Sequence, residues 1–242
     1  MFTNILGYKV FNKSIEDLLI EVLTKEKVNI ISGNPEILYN GMNNEFLNKS
    51  FKSDHSIIIP DGVGTVLASK IVKNPVKEKV AGIEVMNKIM EIASKEGKSI
   101  YFLGAKEEVV SKCVENIKNK YPKLRIAGYH NGFFDLDNCQ DIVDEINASN
   151  PWAIFVAMGS PRQEQFIEGY FNEISANIFM GVGGSFDIYS GNLKRAPKWM
   201  IKLGLEWLYR VVNEPIRIKR LGAIPKFLWL VIRNKNNGES DE

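Results

Sequence analysis

Short apolar runs recur along the chain at Val28–Ile31, Ile57–Ile59, Ser99–Leu103, Leu124–Ala127, Ala153–Ala157 and Asn177–Met180. Continuous apolar runs, rather than strict alternation, suit strands covered on both faces, as in a parallel sheet. Helical spacing fills the intervals. Ser14-Ile15-Glu16-Asp17 opens the first helix, with Ser14 placed as N-cap and Asp17 at the third helical position. Residues 82–95, 106–120 and 140–148 carry apolar stripes with charged outer faces. This alternation predicts a Rossmann-like, doubly wound α/β body with a mainly parallel sheet.

After Met180 the pattern changes. Residues 197–212 read as one amphipathic helix, with Trp199, Ile201, Leu205, Leu208 and Val212 set among basic residues. Pro215 interrupts it and is placed to open a second short helix, because proline lacks an N–H donor but fits a first helical position. Pro225 punctuates the chain again before Phe227-Leu228-Trp229-Leu230-Val231-Ile232. The reading is therefore a catalytic body over 1–194 and a helical, basic and aromatic appendage over 195–242.

Charge sharpens that division. The net charge is only +2, yet residues 194–235 hold eleven Lys/Arg against Glu206 and Glu214, a net of +9. The remainder is mildly acidic at −7. A basic end on an acidic body points to an anionic partner for the end. Its Trp/Phe/Leu content suits a helix lying in a lipid interface, with core packing against the body as the alternative. Nucleic acid fits poorly, since no recognised binding motif is present. The two cysteines, Cys113 and Cys139, form no CxxC pair, and there are only two histidines. A disulfide framework and a Cys/His metal site are thus poor readings. No basic-then-apolar leader opens the chain, and no uncharged apolar run approaches the roughly 18 residues of a spanning helix. The expected location is the reducing cytoplasm.

In α/β sheets, ligands bind beyond the carboxyl ends of strands. Five segments occupy such positions: Ser32-Gly33-Asn34-Pro35-Glu36, Pro60-Asp61-Gly62-Val63-Gly64, Leu103-Gly104-Ala105, Met158 to Glu164, and Gly181 to Asp187. Glycines there admit close approach, and free N–H groups at helix starts suit phosphate oxygens. Asp61 follows a strand and precedes a glycine-rich turn, so it reads either as a general base in a cleft or as the N-cap of the next helix. The Gly181-Val182-Gly183-Gly184 stretch fails as a dinucleotide fingerprint, because Phe186 stands where a third glycine or alanine belongs. Asp135-Leu136-Asp137 spells a DxD pattern, but Asp137 is more simply a helix N-cap, and no metal is expected. A leaving diphosphate would then need arginines as its counter-charge. Arg210, Arg217 and Arg220 are the candidates, the last two sharing a helical face. Coating a membrane-facing surface is their other reading.

The segments NPEILY (34–39), PDGVGTVLASK (60–70), VAGIEVM (80–86), FLGA (102–105), MGSPRQE (158–164), GVGGSFDIYSG (181–191), KRAP (194–197) and LGLEWLYRVVNEPIRIKR (203–220) together resemble the WecG/TagA/CpsF family of bacterial glycosyltransferases. The resemblance runs in order from about residue 4 to 233. It implies an inverting, metal-independent transfer of N-acetylmannosamine from UDP-ManNAc to undecaprenyl-diphospho-N-acetylglucosamine, in wall teichoic acid or related surface-polymer synthesis. No cofactor is implied, since the UDP-sugar is a substrate. The donor alternatives are glucose or N-acetylmannosaminuronic acid, and a non-catalytic nucleotide-binding protein at the membrane is the rival class. The resemblance also implies a peripheral place on the inner face of the cell membrane, where the appendage completes the active site; a homo-oligomer is left open. It makes Asp61 the general base and gives Arg210, Arg217 and Arg220 the donor or lipid diphosphate. Ser32, Asn34, Lys79, Gly104, Ala105, Gly159, Gln163, Gly183, Gly184 and Asp187 fall in the substrate pocket. Two positions depart from the family's usual pattern. Ser32 stands where threonine is common, and Lys79 where arginine is common, losing bidentate geometry.

Overall fold

The computed structural model describes residues 1–213 and 222–238, with residues 202, 210 and 235–238 described by backbone alone. In chain order the first elements are β1 (Phe2–Ile5), β2 (Tyr8–Phe11), α1 (Ile15–Thr24), β3 (Val28–Ser32), α2 (Pro35–Met42), α3 (Glu45–Phe51), β4 (Ser56–Ile59), α4 (Val63–Ile71) and α5 (Gly82–Glu96). There follow β5 (Ser99–Gly104), α6 (Glu107–Lys120), β6 (Arg125–His130), α7 (Gln140–Ser149), β7 (Ala153–Ala157), α8 (Arg162–Tyr170), β8 (Ile178–Gly181) and α9 (Ser185–Ser190). The last are α10 (Lys198–Lys202), α11 (Glu206–Asn213) and α12 (Ala223–Gly238).

The chain divides into two compact units, one of Met1–Leu18, Ser32–Ala81 and Arg195–Glu242, the other of Leu19–Ile31 and Gly82–Lys194. In the second, β3, β8, β7, β5 and β6 lie side by side in that order, every pairing parallel. Strand β7 is buried at all five positions and β5 at five of six, which is why both read as continuous apolar runs. On one face Tyr101, Leu103, Ile154, Val156 and Phe179 pack with Val143, Ile146, Phe166 and Phe171. On the other, Phe102 meets Phe155 and Phe186 at ring-centroid distances of 5.8 and 5.7 Å. The Tyr101 hydroxyl donates to Glu145 at 2.7 Å, and burial together with that carboxylate pushes its pKa well up. The run expected at Leu124–Ala127 instead becomes β6, shifted to Arg125–His130. As the edge of this order it is only half covered, so its apolar content is thin.

In the first unit β1 and β2 form an antiparallel hairpin, and β2 pairs in parallel with β4. The sequence reading missed the hairpin. Its two-residue turn, Leu6-Gly7, has positive φ at both positions (54° and 84°), the geometry that matches strand twist. Asn34 and Asn44 cap α2 and α3 through their side-chain oxygens. Ser14 and Asp17 form the expected reciprocal cap: Asp17 N donates to Ser14 Oγ, and Ser14 N donates to Asp17 Oδ2.

The single helix expected over 197–212 is two. Gly204, at φ 73°, ends α10 with Gly204 N donating to Ile201 O (3.0 Å) and Leu205 N to Met200 O (2.8 Å). This is a Schellman stop, which glycine adopts without the Cβ penalty. The helix expected to start at Pro215 lies outside the described residues. Pro225 does not break the chain but sits in the first turn of α12, where its missing N–H would have had no helical partner. Helix α12 packs on α2 and α4, burying Phe227 and Val231 one turn apart and exposing Trp229 and Ile232. It therefore packs on the core along one stripe and presents aromatics along another. Among the described residues, no helix is long and apolar enough to cross a membrane.

Candidate functional site

The loops after β3 and β4 are tied to one carbonyl. Ile59 O accepts from both Asp61 N (2.8 Å) and Gly33 N (2.9 Å), and the buried Thr65 hydroxyl donates to Gly33 O at 2.6 Å. Val80 N donates to Pro60 O at 3.1 Å, which draws the Lys79 segment alongside. The space at Gly33 is full: a methyl there would lie 2.3 Å from Ile58 Cγ2. Asp61 is therefore held at the carboxyl end of β4 by short local bonds. The residue that caps α4 is Gly62, which has no side chain to cap with, so the N-cap reading of Asp61 does not hold.

Asp61 lines a cavity of about 200 Å³ together with Asn34, Glu36, Lys79, Glu206, Trp207 and Ile224. Lys79 Nζ lies 3.5 Å from Glu206 Oε2, with side chains only 21% and 14% exposed. The residues around 204–211 thus form one wall, with Gly204 near Val63 and Val211 in the lining. Three carboxylates and one ammonium line this cavity among the described side chains, so a diphosphate placed here needs further cations. Arg210 occupies the turn after Glu206 in α11. Arg217 and Arg220 lie outside the described residues. Ser32 ends β3, and its O accepts from Asn34 N at 2.8 Å. Asn34 itself uses Oδ1 to cap α2, accepting from Ile37 N at 3.0 Å.

The other candidate residues gather at the strand ends of the second unit. Gly104 closes β5 against Ala157, where a methyl would lie 2.5 Å from the Ala157 carbonyl. Ala105 N donates to Ala157 O, and Gly132 N to Ala105 O, each at 2.8 Å. Here Ala105, Gly132, Phe133, Phe134, Asp135, Met158 and Arg162 line a cavity of about 650 Å³. Arg162 braces it by donating to the carbonyls of Gly132 and Phe134. Phe133 stands 74% exposed at the rim. Gln163, 3% exposed, is occupied internally: its Oε1 accepts from Gly183 N at 3.1 Å and its Nε2 donates to Glu164 at 2.7 Å. It orders the glycine loop that leads through Gly184, the N-cap position, into α9. Gly159 O accepts from Gln163 N at 2.9 Å. Asp187 lies in the first turn of α9, and its charge adds to burial in pushing the Cys113 thiol up to about 12. Asp135 Oδ1 accepts from Asp137 N at 3.1 Å, a local turn, while the N-cap of α7 is Cys139 rather than Asp137. Among the described residues, no group of three or more His, Cys, Asp or Glu is arranged to hold a metal.

Glu206, Trp207 and Phe133 line these cavities without having been singled out in the sequence, whereas Arg162 lay within the Met158 to Glu164 segment. Phe133 had a signal, a large aromatic between glycine and a DxD turn. Glu206 had none, since its partner Lys79 lies 127 positions away.

Parallel strands whose carboxyl-end loops carry a held carboxylate and glycine-rich turns define an α/β protein of the kind that places its ligand sites at those ends. A family model described as "Glycosyl transferase WecG/TagA/CpsF family" matches residues 3–241, and the chain belongs to that family. Several relatives are named N-acetylglucosaminyldiphosphoundecaprenol N-acetyl-beta-D-mannosaminyltransferase. One from Bacillus subtilis (strain 168) is 40% identical over 185 residues, covering 76% of this chain and 72% of the relative. Others from Bacillus spizizenii and Staphylococcus aureus (strain MW2) are 36% identical, covering 85% of this chain and 79% and 80% of theirs.

Proposed function

We propose that the protein transfers N-acetylmannosamine from UDP-ManNAc to the sugar of undecaprenyl-diphospho-N-acetylglucosamine, with inversion and without a metal or cofactor. The observation that carries the reading is Asp61, a strand-end carboxylate lining a cavity in a chain 40% identical to a relative bearing that activity's name. Asp61 accepts the proton of the acceptor hydroxyl while its oxygen forms a bond to the anomeric carbon. The bond from that carbon to the UDP oxygen breaks, and UDP departs with the electron pair. A positioned base of this kind contributes about 10²–10⁴-fold.

The charge developing on UDP is assigned to Arg210, Arg217 and Arg220. The supporting argument is the acidic lining of the Asp61 cavity, which cannot hold a diphosphate without added cations. Ser32 and Asn34 are assigned to the sugar, and Lys79 to holding Glu206 and so the cavity wall. Gly104, Ala105, Gly159, Gly183, Gly184 and Asp187 are assigned to the nucleotide, with Gln163 ordering the loop and Phe133 offering an exposed ring to the base. Trp199, Leu203 and Val212 are exposed in a stretch rich in lysines and arginines, which favours a peripheral place on the cytoplasmic face of a membrane.

Incubation with a panel of UDP-sugars and a lipid-diphosphate acceptor tests the reading. UDP release is expected with UDP-ManNAc and to persist in EDTA. Release with UDP-glucose or UDP-N-acetylmannosaminuronic acid alone would replace the donor, and release with none would overturn the function.

A further inference from the structure

A second groove lies on the first unit, between α2 and α12. It has a volume of about 320 Å³ and is lined by Tyr39, Pro225, Lys226, Trp229 and Leu230. That places it at the small end of ligand pockets, about 300–1,000 Å³. Its walls are aromatic rings and aliphatic carbon, and Lys226 adds an ammonium. The groove and the Asp61 cavity are lined by neighbouring positions of the same two helices. Helix α2 and its N-cap give Asn34, Pro35 and Glu36 to that cavity and, one turn on, Tyr39 to the groove. Helix α12 gives Ile224 to the cavity and Pro225 to the groove. Two helices thus carry the lining from a polar, carboxylate-bearing site to an apolar slot in about one turn, roughly 5.4 Å of rise.

That order of surfaces is the order of groups in one kind of molecule: a reacting sugar hydroxyl, a diphosphate, then a hydrocarbon chain. We propose that the groove binds the first isoprene units of a polyprenyl-diphosphate-linked acceptor, with Lys226 at the diphosphate end. The proposal rests on the lipid-linked acceptor assigned above and adds where its chain lies. A slot between two helices, lined by Tyr39 from one and Trp229 from the other, fits a flexible chain better than a helix or a flat bilayer surface. Phe227 and Val231, buried on the opposite stripe of α12, hold the groove's second wall in place.

The test compares binding of two soluble ligands by calorimetry on the full-length protein: N-acetylglucosaminyl diphosphate bearing a farnesyl chain, and the same head group bearing a methyl. The farnesyl ligand is expected to bind tighter to the wild type. Trp229→Ser on one wall and, independently, Tyr39→Ser on the other are each expected to lower the affinity ratio about tenfold, the loss of contact with about two methylene-sized groups. Equal affinities in the wild type, or a ratio that neither variant moves, would overturn the groove. So would variants that keep the ratio but lose binding to anionic phospholipid vesicles, which would make these side chains a membrane contact. Turnover is read separately. Chain-dependent binding without sugar transfer would leave the groove standing and refute the reaction.

Discussion

The attachment of α12 can be weakened at one residue. Phe227 is fully buried and Val231 nearly so, and these two supply the buried stripe that docks the helix on α2 and α4. Phe227→Ala removes a whole ring from a packed site, at a cost of about 3–5 kcal/mol when the surroundings relax only in part. At about 1.36 kcal/mol per factor of ten, the lower figure already raises the detached population about 10²-fold. Because α12 is the last described element, the cost should fall on its docking before it falls on the strands. Native-state hydrogen exchange reads this directly. Amides in the middle of α12 are expected to exchange about 10²-fold or more faster in the variant, while those of β5 and β7 keep their protection. No acceleration in α12 would show that Phe227 does not dock it. Equal acceleration in the strands would show that the helix has no docking equilibrium of its own.

Further expectations concern single contacts. A double-mutant cycle of Lys79→Met and Glu206→Gln in urea unfolding should give a coupling of about 1 kcal/mol, since the pair is mostly shielded from water; a coupling near zero would remove the ion pair as a clasp on the cavity wall. Asp17 is held below its ordinary pKa, first by the Ser14 hydroxyl and then by the Ser14 backbone N–H. Its contribution is therefore full above the unfolded value of about 3.9 and is lost as pH falls from there through the folded value. Asp17→Asn should lower Tm at neutral pH, with the difference shrinking in acid; a difference independent of pH would contradict the cap. Cys113 and Cys139 are both buried, and burial raises the Cys113 pKa to about 12. Neither thiol should react with Ellman's reagent until the protein is unfolded, and a fast-reacting thiol in the folded state would refute that packing.

Much of the α/β body could be read from the chain because Val28–Ile31 and Ala153–Ala157 are covered on both faces and leave an uninterrupted apolar record. The β1–β2 hairpin left a weaker record. Its strands are four residues each, and Thr3, Asn4 and Lys9 dilute the apolar content. The helix over 197–212 was overextended because its apolar spacing continues through Gly204, and only the backbone at that glycine shows the stop. For the site, Asp61 was legible from its place between an apolar run and a glycine turn. Periodicity could not decide between base and cap; the backbone puts Gly62 at the cap, which removes that one reading. The Lys79–Glu206 pair and the groove between Tyr39 and Trp229 join distant segments, and no local pattern encodes such meetings.

The proposed reaction turns on Asp61 removing the proton from the acceptor hydroxyl. The most direct measurement is the rate of sugar transfer from UDP-ManNAc by Asp61→Asn, set beside its affinity for UDP. A fall in kcat of about 10²–10⁴-fold with UDP binding retained is expected. A variant that keeps wild-type kcat would contradict it.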